Sequence, residues 1–383
     1  GWNSMVKDQV SHLVRQAVLS AQSAGDLPAF DLPPITVGRP KEEAHGDYDC
    51  SLPLKLARVA GMPPLKIAQV MAKHLPPADF LGKVEVAAPG FLNFTLGDAW
   101  LAQQVEAIIA TGETFGNVNL GQGKRVQVEF VSANPTGPLH IGTGRNAVLG
   151  DALATLLAAA GYSVQREYLI NDGGSQMQHF NASLFARYAQ ALGHDVPLPE
   201  DGYQGEYLTE MGQALAQKHG DRFWQMPREE GVAAIGEIGL PEVLQGIRAD
   251  LGNVGIHFDC WFSEREMYAR GDFERLVAYL REKSLLAEYE GAVWLRGQPL
   301  GLDKDEVVIR SSGKPGYLAT DLTYHYDKFI GRGFDWVINV WAADHQNQAR
   351  RLPPMMAAYG VAPSRQTILL YQNVTLRRGG ELV

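Results

Sequence analysis

At 383 residues the chain is too long for one ordinary domain and suits two, or one domain with a large insertion. Apolar residues make up 45% and charged residues 20%, which excludes a disordered or fibrous chain. The net charge of -9 and a pI near 5.6 exclude a global basic field, though not a local patch of Lys and Arg that binds phosphates. Cys50 and Cys260 stand far apart and in no metal spacing, so a disulfide scaffold or structural zinc site is not expected. Buried free thiols in a reducing cytosol are the natural reading, and no protein-ligated metal is expected. No run approaches the ~20 apolar residues of a membrane span. The charged, amphipathic start is unlike a signal peptide, so a cytoplasmic location without a membrane partner is expected. Residues 1–4, ahead of Met5, read as a leftover of recombinant expression.

Residues 5–119 read as a small α+β domain. Val6, Val10, Leu13, Val14 and Ala17 form a helical stripe, followed by Gly/Pro-rich chain around Gly25 to Pro34. The segment "ITVGRPKEEAHGDYDCSLPLKLA" mixes a short strand with turn residues and then a helix. "KVEVAAPGFLNFTL" alternates and bends at Pro89-Gly90, which predicts paired strands. "WLAQQVEAIIATG" predicts a helix that closes the unit.

A different rhythm begins at Lys124, and residues 120–383 read as a second domain. "RVQVEFVS" predicts a strand, and "IGTGRNAVLGDALATLLAAAG" a helix with Leu149, Ala152, Leu153, Leu156 and Ala160 on one face. Gly161 lies where a helix C-cap belongs, and "SVQREYLIND" predicts a second strand. Strand, helix and strand make a βαβ unit and imply a parallel sheet. "WVINVWAAD" and "QTILLYQNV" supply two later strands around the helix-like "QNQARRLPPMMAAYG". The stretch from about residue 175 to 310 reads as a largely helical insertion beside the sheet. The expected fold class is therefore α/β: a Rossmann-type parallel-sheet domain with an insertion, preceded by the α+β domain.

In an open α/β sheet, ligands sit beyond the carboxyl ends of the strands, often at a helix N-terminus. "EFVSANPTGPLHIGTG", residues 129–144, occupies that place. Pro135 and Pro138 stiffen the loop, and Gly142 and Gly144 allow a ligand close to the backbone. His140 stands at the mouth of the helix, where free N–H groups and the dipole favour phosphate. The stretch is neither a Walker loop nor a G-x-G-x-x-G fingerprint. A lone loop histidine would read as structural; strand, stiff loop and helix together favour function.

The run from Val128 to Gly174 resembles the first half of the catalytic domain of bacterial-type arginyl-tRNA synthetases. These are class I enzymes whose "HIGH" signature follows the first strand of a Rossmann-type fold. "DKDEVVIRSSGKPGYLATDLTYHYDKF" and "GFDWVINVWAADH" resemble the second half, and the likeness spans essentially all of Met5 to Val383. The N-terminal domain resembles the family's extra domain, which contacts the tRNA elbow at its D-loop. The resemblance implies two steps. L-Arginine attacks the α-phosphate of ATP, with Mg²⁺ as co-substrate, to give arginyl-adenylate; the arginyl group then passes to tRNA(Arg), whose binding usually precedes the first step.

By the same resemblance His140 contacts the ATP phosphates, Gly142 is the signature glycine under the adenine, and Thr143 and Gly144 complete the ATP site. Ser132 and Asn134 match the positions that hold the amino and carboxylate end of arginine, and Glu129 a further acidic contact. A guanidinium is best matched by a carboxylate in fork geometry. Asp321 is the candidate, with Tyr317 four residues earlier on the same face of a helical turn as a pocket wall. His345 matches a polar position lining the substrate pocket. Asp344 either contacts the ATP ribose or orients its loop. Asn171 and Asp172, at the end of the second strand, read equally as crevice residues or as a simple turn.

Two departures stand out. Thr143 occupies the place of the second signature histidine, which keeps one donor and one acceptor without the chance of positive charge. The sequence given stops at "NVTLRRGGELV", where the family continues into a "KMSK" loop and a helical anticodon-binding domain. Loss of one preorganised donor costs about 10²–10³ in rate, so the resemblance implies a truncated form, weakly active or inactive. Two rival readings remain. One is a small nucleotidyltransferase, which would need neither the N-terminal domain nor the "YLATD" pocket. The other is a binding or regulatory fragment without turnover.

Overall fold

In the computed structural model, residues 6–372 and 374–382 are described; the expected leftover at residues 1–4 lies outside them. The chain divides into two compact units, Gly1–Asn119 and Leu120–Val383.

In the first unit, helix α1 (Val6–Ser23) buries Val10, Leu13, Val14, Ala17, Val18 and Ala21 along its apolar stripe. The sheet is antiparallel in the order β1 (Val37–Gly38), β2 (Tyr48–Cys50), β4 (Phe91–Leu96), β3 (Leu81–Ala87). Helices α2 (Leu52–Ala60) and α3 (Pro64–Lys73) bury Leu52, Leu56, Ile67 and Met71 in the same core. Helix α4 (Asp98–Thr111) departs from expectation. It buries no residue, and Leu101, Val105, Ile108 and Ile109 are exposed, so it does not close the unit's core.

The second unit opens with β5 (Arg125–Glu129), α5 (Ile141–Ala159) and β6 (Ser163–Ile170). Then come α6 (Gly174–Ala191), α7 (Glu206–His219), α8 (Arg228–Asn253), β7 (Cys260–Ser263), α9 (Glu264–Ala269) and α10 (Asp272–Glu282). Strands β8 (Leu286–Tyr289), β9 (Ala292–Leu295) and β10 (Glu306–Ile309) form a separate antiparallel sheet. After them come α11 (Ala319–Tyr326), β11 (Trp336–Ala342), α12 (Gln346–Met355) and β12 (Gln366–Tyr371). The principal sheet is parallel throughout, in the order β12-β11-β5-β6-β7. Its central strand β5 is buried from Val126 to Glu129, as a strand covered on both faces must be.

Two features sharpen the sequence reading. The region 175–310 starts helical: α6, α7 and α8 pack through Phe180, Leu184, Leu208, Met211, Ile235 and Ile247. It also returns to the sheet as edge strand β7 and holds most of the antiparallel sheet, so it is not one helical block. In α5, Leu149 and Leu156 are exposed, whereas Ala147, Gly150, Ala154 and Leu157 face the core. The helix is apolar on nearly every side, so periodicity does not choose its inner face. Close packing does: a Cβ on Gly150 would stand 2.1 Å from the Phe130 ring. From β5 the chain steps to β6 on one side and later reaches β11 on the other. The crevice beyond β5 and β11 is the switch point of the sheet.

Candidate functional site

The switch point is built on an unusual backbone. At the end of β5, Val131 and Ser132 have φ values of 64° and 41°, left-handed for two residues that are not glycine. Ser132 N–H donates to the Phe130 carbonyl at 2.9 Å, closing a γ-turn over β-branched Val131. Such a turn is strained and persists only where its surroundings over-determine it. They do so here. Asn146 on α5 accepts from Val131 N–H at 2.8 Å and donates to the Val340 carbonyl on β11 at 2.9 Å, tying the two strand ends together. The Ser132 hydroxyl donates to Glu129 Oε1 at 3.2 Å and accepts from Leu169 N–H at 3.1 Å. Tyr168 donates to the Ala133 carbonyl, Tyr207 to the Thr136 carbonyl, and Asn171 to Asn134 Oδ1. The loop expected to be stiff from its prolines is thus pinned by side chains from three other elements.

Beyond this turn lies a cavity of about 670 Å³. Glu129, Ser132 and Asn134 reach it from the end of β5, His140, Gly142 and Thr143 from the mouth of α5, Asp321 from α11 and His345 from just ahead of α12. His140 is the N-cap of α5, its Nδ1 3.4 Å from the Thr143 N–H. A Cβ on Gly142 would come within 3.0 Å of the His140 ring, so glycine lets the imidazole lie against the first turn. Thr143 is buried and Gly144 exposed. This end of the cavity offers a ring nitrogen, a helix N-terminus and close access to the backbone.

The opposite end is made of buried charge. Glu129 accepts from Lys328 Nζ at 2.7 Å and Asn339 Nδ2 at 2.5 Å through Oε2, and both charged partners are buried. Glu167 is paired by Arg332 and accepts from the Tyr324 hydroxyl; these bonds hold its carboxyl below the usual range despite the opposing effect of burial. Lys328 also lies 3.8 Å over the Tyr324 ring. Burial lowers His325 to about 3, so this ring is neutral, and its Nδ1–H donates to the Asp321 carbonyl.

Asp321 differs from its acidic neighbours. Protein encloses it, its remaining surface opens on the cavity, and among the described residues no cation lies within ion-pair distance of it. Burial pushes its carboxyl up to about 6, with the Glu129 and Glu264 charges adding to the rise. Among the described residues its side-chain hydrogen-bond partner is neutral: Gln348 Nε2 donates to Oδ2.

Gly144 and Tyr317 do not line the cavity. Helix α11 begins at Ala319, so Tyr317 precedes it and is 73% exposed instead of sharing a helical face with Asp321. Asn171 lines the cavity, whereas Asp172 accepts from the Ser263 hydroxyl and the Arg265 N–H and so fixes the exit of β7. Asp344 reaches the cavity and lies 4.0 Å from His345 Nε2. Sequence reading missed Lys328, Tyr324, Asn146 and Gln348. A signal for the first two was present: Asp321, Tyr324, His325 and Lys328 recur at i, i+3, i+4 and i+7, a polar stripe at helical spacing.

A parallel sheet whose switch point opens on a polar cavity at a histidine-capped helix places the second unit among the open-sheet α/β proteins, which bind their ligands at that crevice. Comparison with known proteins narrows the class. Residues 6–96 match the arginyl tRNA synthetase N-terminal domain and residues 104–202 the catalytic domain of class I (R) tRNA synthetases. An arginine–tRNA ligase of Dehalococcoides mccartyi is 45% identical over 99% of this chain and 68% of its own length. One from Ruminiclostridium cellulolyticum is 41% identical, again over 99% of this chain and 68% of the relative. An arginyl-tRNA synthetase structure from Campylobacter jejuni superimposes with a TM-score of 0.68 at 33% identity, covering 75% of this chain and 63% of that one. The Thermus thermophilus structure shares the fold, with a TM-score of 0.58 at 23% identity over 96% of this chain and 66% of that one. The chain belongs to the arginine–tRNA ligase family of class I aminoacyl-tRNA synthetases, and spans about two thirds of the length of these relatives.

Proposed function

We propose that this chain carries the amino-acid-activating site of an arginine–tRNA ligase and that Asp321 receives the guanidinium. The observation behind this reading is an enclosed carboxylate that lines the cavity and, among the described residues, has no cation of its own, whereas Glu129 and Glu167 are paired by Lys328 and Arg332. An arginine side chain supplies the missing charge and matches a carboxylate in fork geometry, which an ammonium cannot do. Ser132 and Asn134 take the amino and carboxylate end. Glu129 adds negative potential; its Oε2 is engaged by Lys328 and Asn339, while Oε1 accepts only from the Ser132 hydroxyl and keeps a lone pair for a ligand.

His140, Gly142, Thr143 and the α5 terminus receive the ATP phosphates, where fixed N–H donors stabilise charge as it shifts in the transition state. An oxygen of the arginine carboxylate bonds to the α-phosphorus, the bond to pyrophosphate breaks, and pyrophosphate leaves. A ribose hydroxyl of the terminal adenosine of tRNA(Arg) then attacks the arginyl carbonyl and loses its proton, the bond to the phosphate oxygen breaks and AMP leaves; the N-terminal unit is assigned to contacts with that tRNA. Mg²⁺ is assigned to the triphosphate of ATP as co-substrate. No described helix is long and apolar enough to cross a membrane, and a cytoplasmic enzyme is the natural setting.

Calorimetry tests the pocket. The chain should bind arginine at least about tenfold tighter than lysine, and Asp321→Ala should abolish the preference; removing one partner of a buried pair costs about 3–5 kcal/mol. Equal affinities for the two amino acids would sink the assignment.

A further inference from the structure

The contact that holds Asp321 is itself held. Gln348, in the first turn of α12, donates from Nε2 to Asp321 Oδ2 on α11. Its Oε1 faces His345 Nδ1 at 3.2 Å. An amide oxygen only accepts, so in this arrangement His345 carries a proton on Nδ1 and donates it. The chain His345, Gln348, Asp321 runs along the cavity wall, and all three residues line it. Gln348 occupies one acceptor site of Oδ2, which leaves the other site and the whole of Oδ1 to a forked ligand.

An amide suits this place for a physical reason. Its N–H stabilises a carboxylate without cancelling the charge. A lysine or arginine there would neutralise the pocket and exclude a cationic ligand, and an apolar side chain would leave the acid to take up a proton. We propose that Gln348, oriented by His345, is a positioning residue that keeps Asp321 ionised and turned to the cavity, and so sets the pH range over which the site accepts a guanidinium. This rests on the arginine-site reading above.

The surroundings of Asp321 make such a residue necessary. Glu129 on β5 and Glu264 on α9 face it with like charge, while Lys328, already committed to Glu129, opposes them from the turn after α11. Tyr268 on α9 and Tyr359 beyond α12 also lie within its field, and the His325 ring is neutral. Against burial and two acids, the Gln348 hydrogen bond is the largest influence favouring the charged form.

Carboxyl ¹³C NMR of the ligand-free chain, with the Asp321 signal identified by Asp321→Asn, tests the proposal directly. In Gln348→Met the Asp321 midpoint should rise by about one pH unit, and in His345→Phe by less in the same direction. Arginine affinity should then fall about fivefold at pH 6 relative to wild type and return to it at pH 8.5, the ratio expected from a one-unit rise in midpoint. A disrupted fold would instead weaken binding at every pH. An unmoved midpoint in Gln348→Met overturns the proposal. If that variant does not fold, Gln348→Asn decides by the same criterion, because it keeps the amide and shortens its reach. Failure of the wild type to bind arginine would overturn the arginine reading, and the NMR midpoints would still decide the role of Gln348.

Discussion

The two ends of the cavity solve different problems with different materials. At the mouth of α5 the groups that face a ligand are local, a loop, a capping histidine and a glycine between residues 129 and 144, although Asn146, Tyr168 and Tyr207 pin that loop from outside it. At the far end they are side chains from β5, α11, β11 and α12, and their charges are buried and mutually dependent. The contrast has a physical origin. Phosphate is recognised by backbone N–H groups at a helix terminus, which any short segment of the right shape provides. A guanidinium in an enclosed pocket needs a carboxylate whose own desolvation is offset, and that requires partners from several elements.

Three tests probe that difference, the largest effect first. Lys328→Met leaves Glu129 buried without its cation and should cost about 3–5 kcal/mol of stability in chemical denaturation. Adding Glu129→Gln should recover most of the loss, and a neutral single variant would show that the deep end is not held by paired charge. His140→Ala should weaken ATP binding by roughly 10–100-fold, the worth of a hydrogen bond to a charged group. Arginine binding should be unchanged, and a parallel fall in arginine affinity would erase the separation between the two ends. The smallest effect concerns Asp321 and the fold itself. Its carboxyl, held at about 6, lies above its unfolded value, so the folded state favours the proton. That contribution is fully present below about pH 4 and is lost as pH rises through about 6. Asp321→Asn should therefore raise Tm by a few degrees at pH 8 and leave it unchanged near pH 4. An equal gain at both values would place the cause outside ionisation.

Legibility in the sequence follows the same division. Strand β5, the loop and α5 follow from alternation, proline, glycine and an apolar run, which act over neighbouring residues. Edge strand β7 was hidden, because four residues inside a helical region carry too little periodicity to announce a strand. The inner face of α5 was also hidden, since Leu149 and Leu156 are as apolar as the buried Ala154 and Leu157. Tyr317 falls two residues ahead of α11 and not within it, since nothing local fixed the helix start at Ala319.

By itself, then, the sequence determined the α/β class, the switch-point loop with His140 and Gly142, and Asp321 as the candidate acid. The first and the loop's shape depend on short-range pattern; the roles of His140, Gly142 and Asp321 are what the family resemblance implies. Only the tertiary structure decided that Glu129 is engaged by Lys328 and Asn339, that Asn146 holds the γ-turn at Val131, and that Gln348 reaches Asp321. Each joins residues that are distant in the chain, and in an enclosed site the state of a charge is set by whichever groups the fold brings beside it.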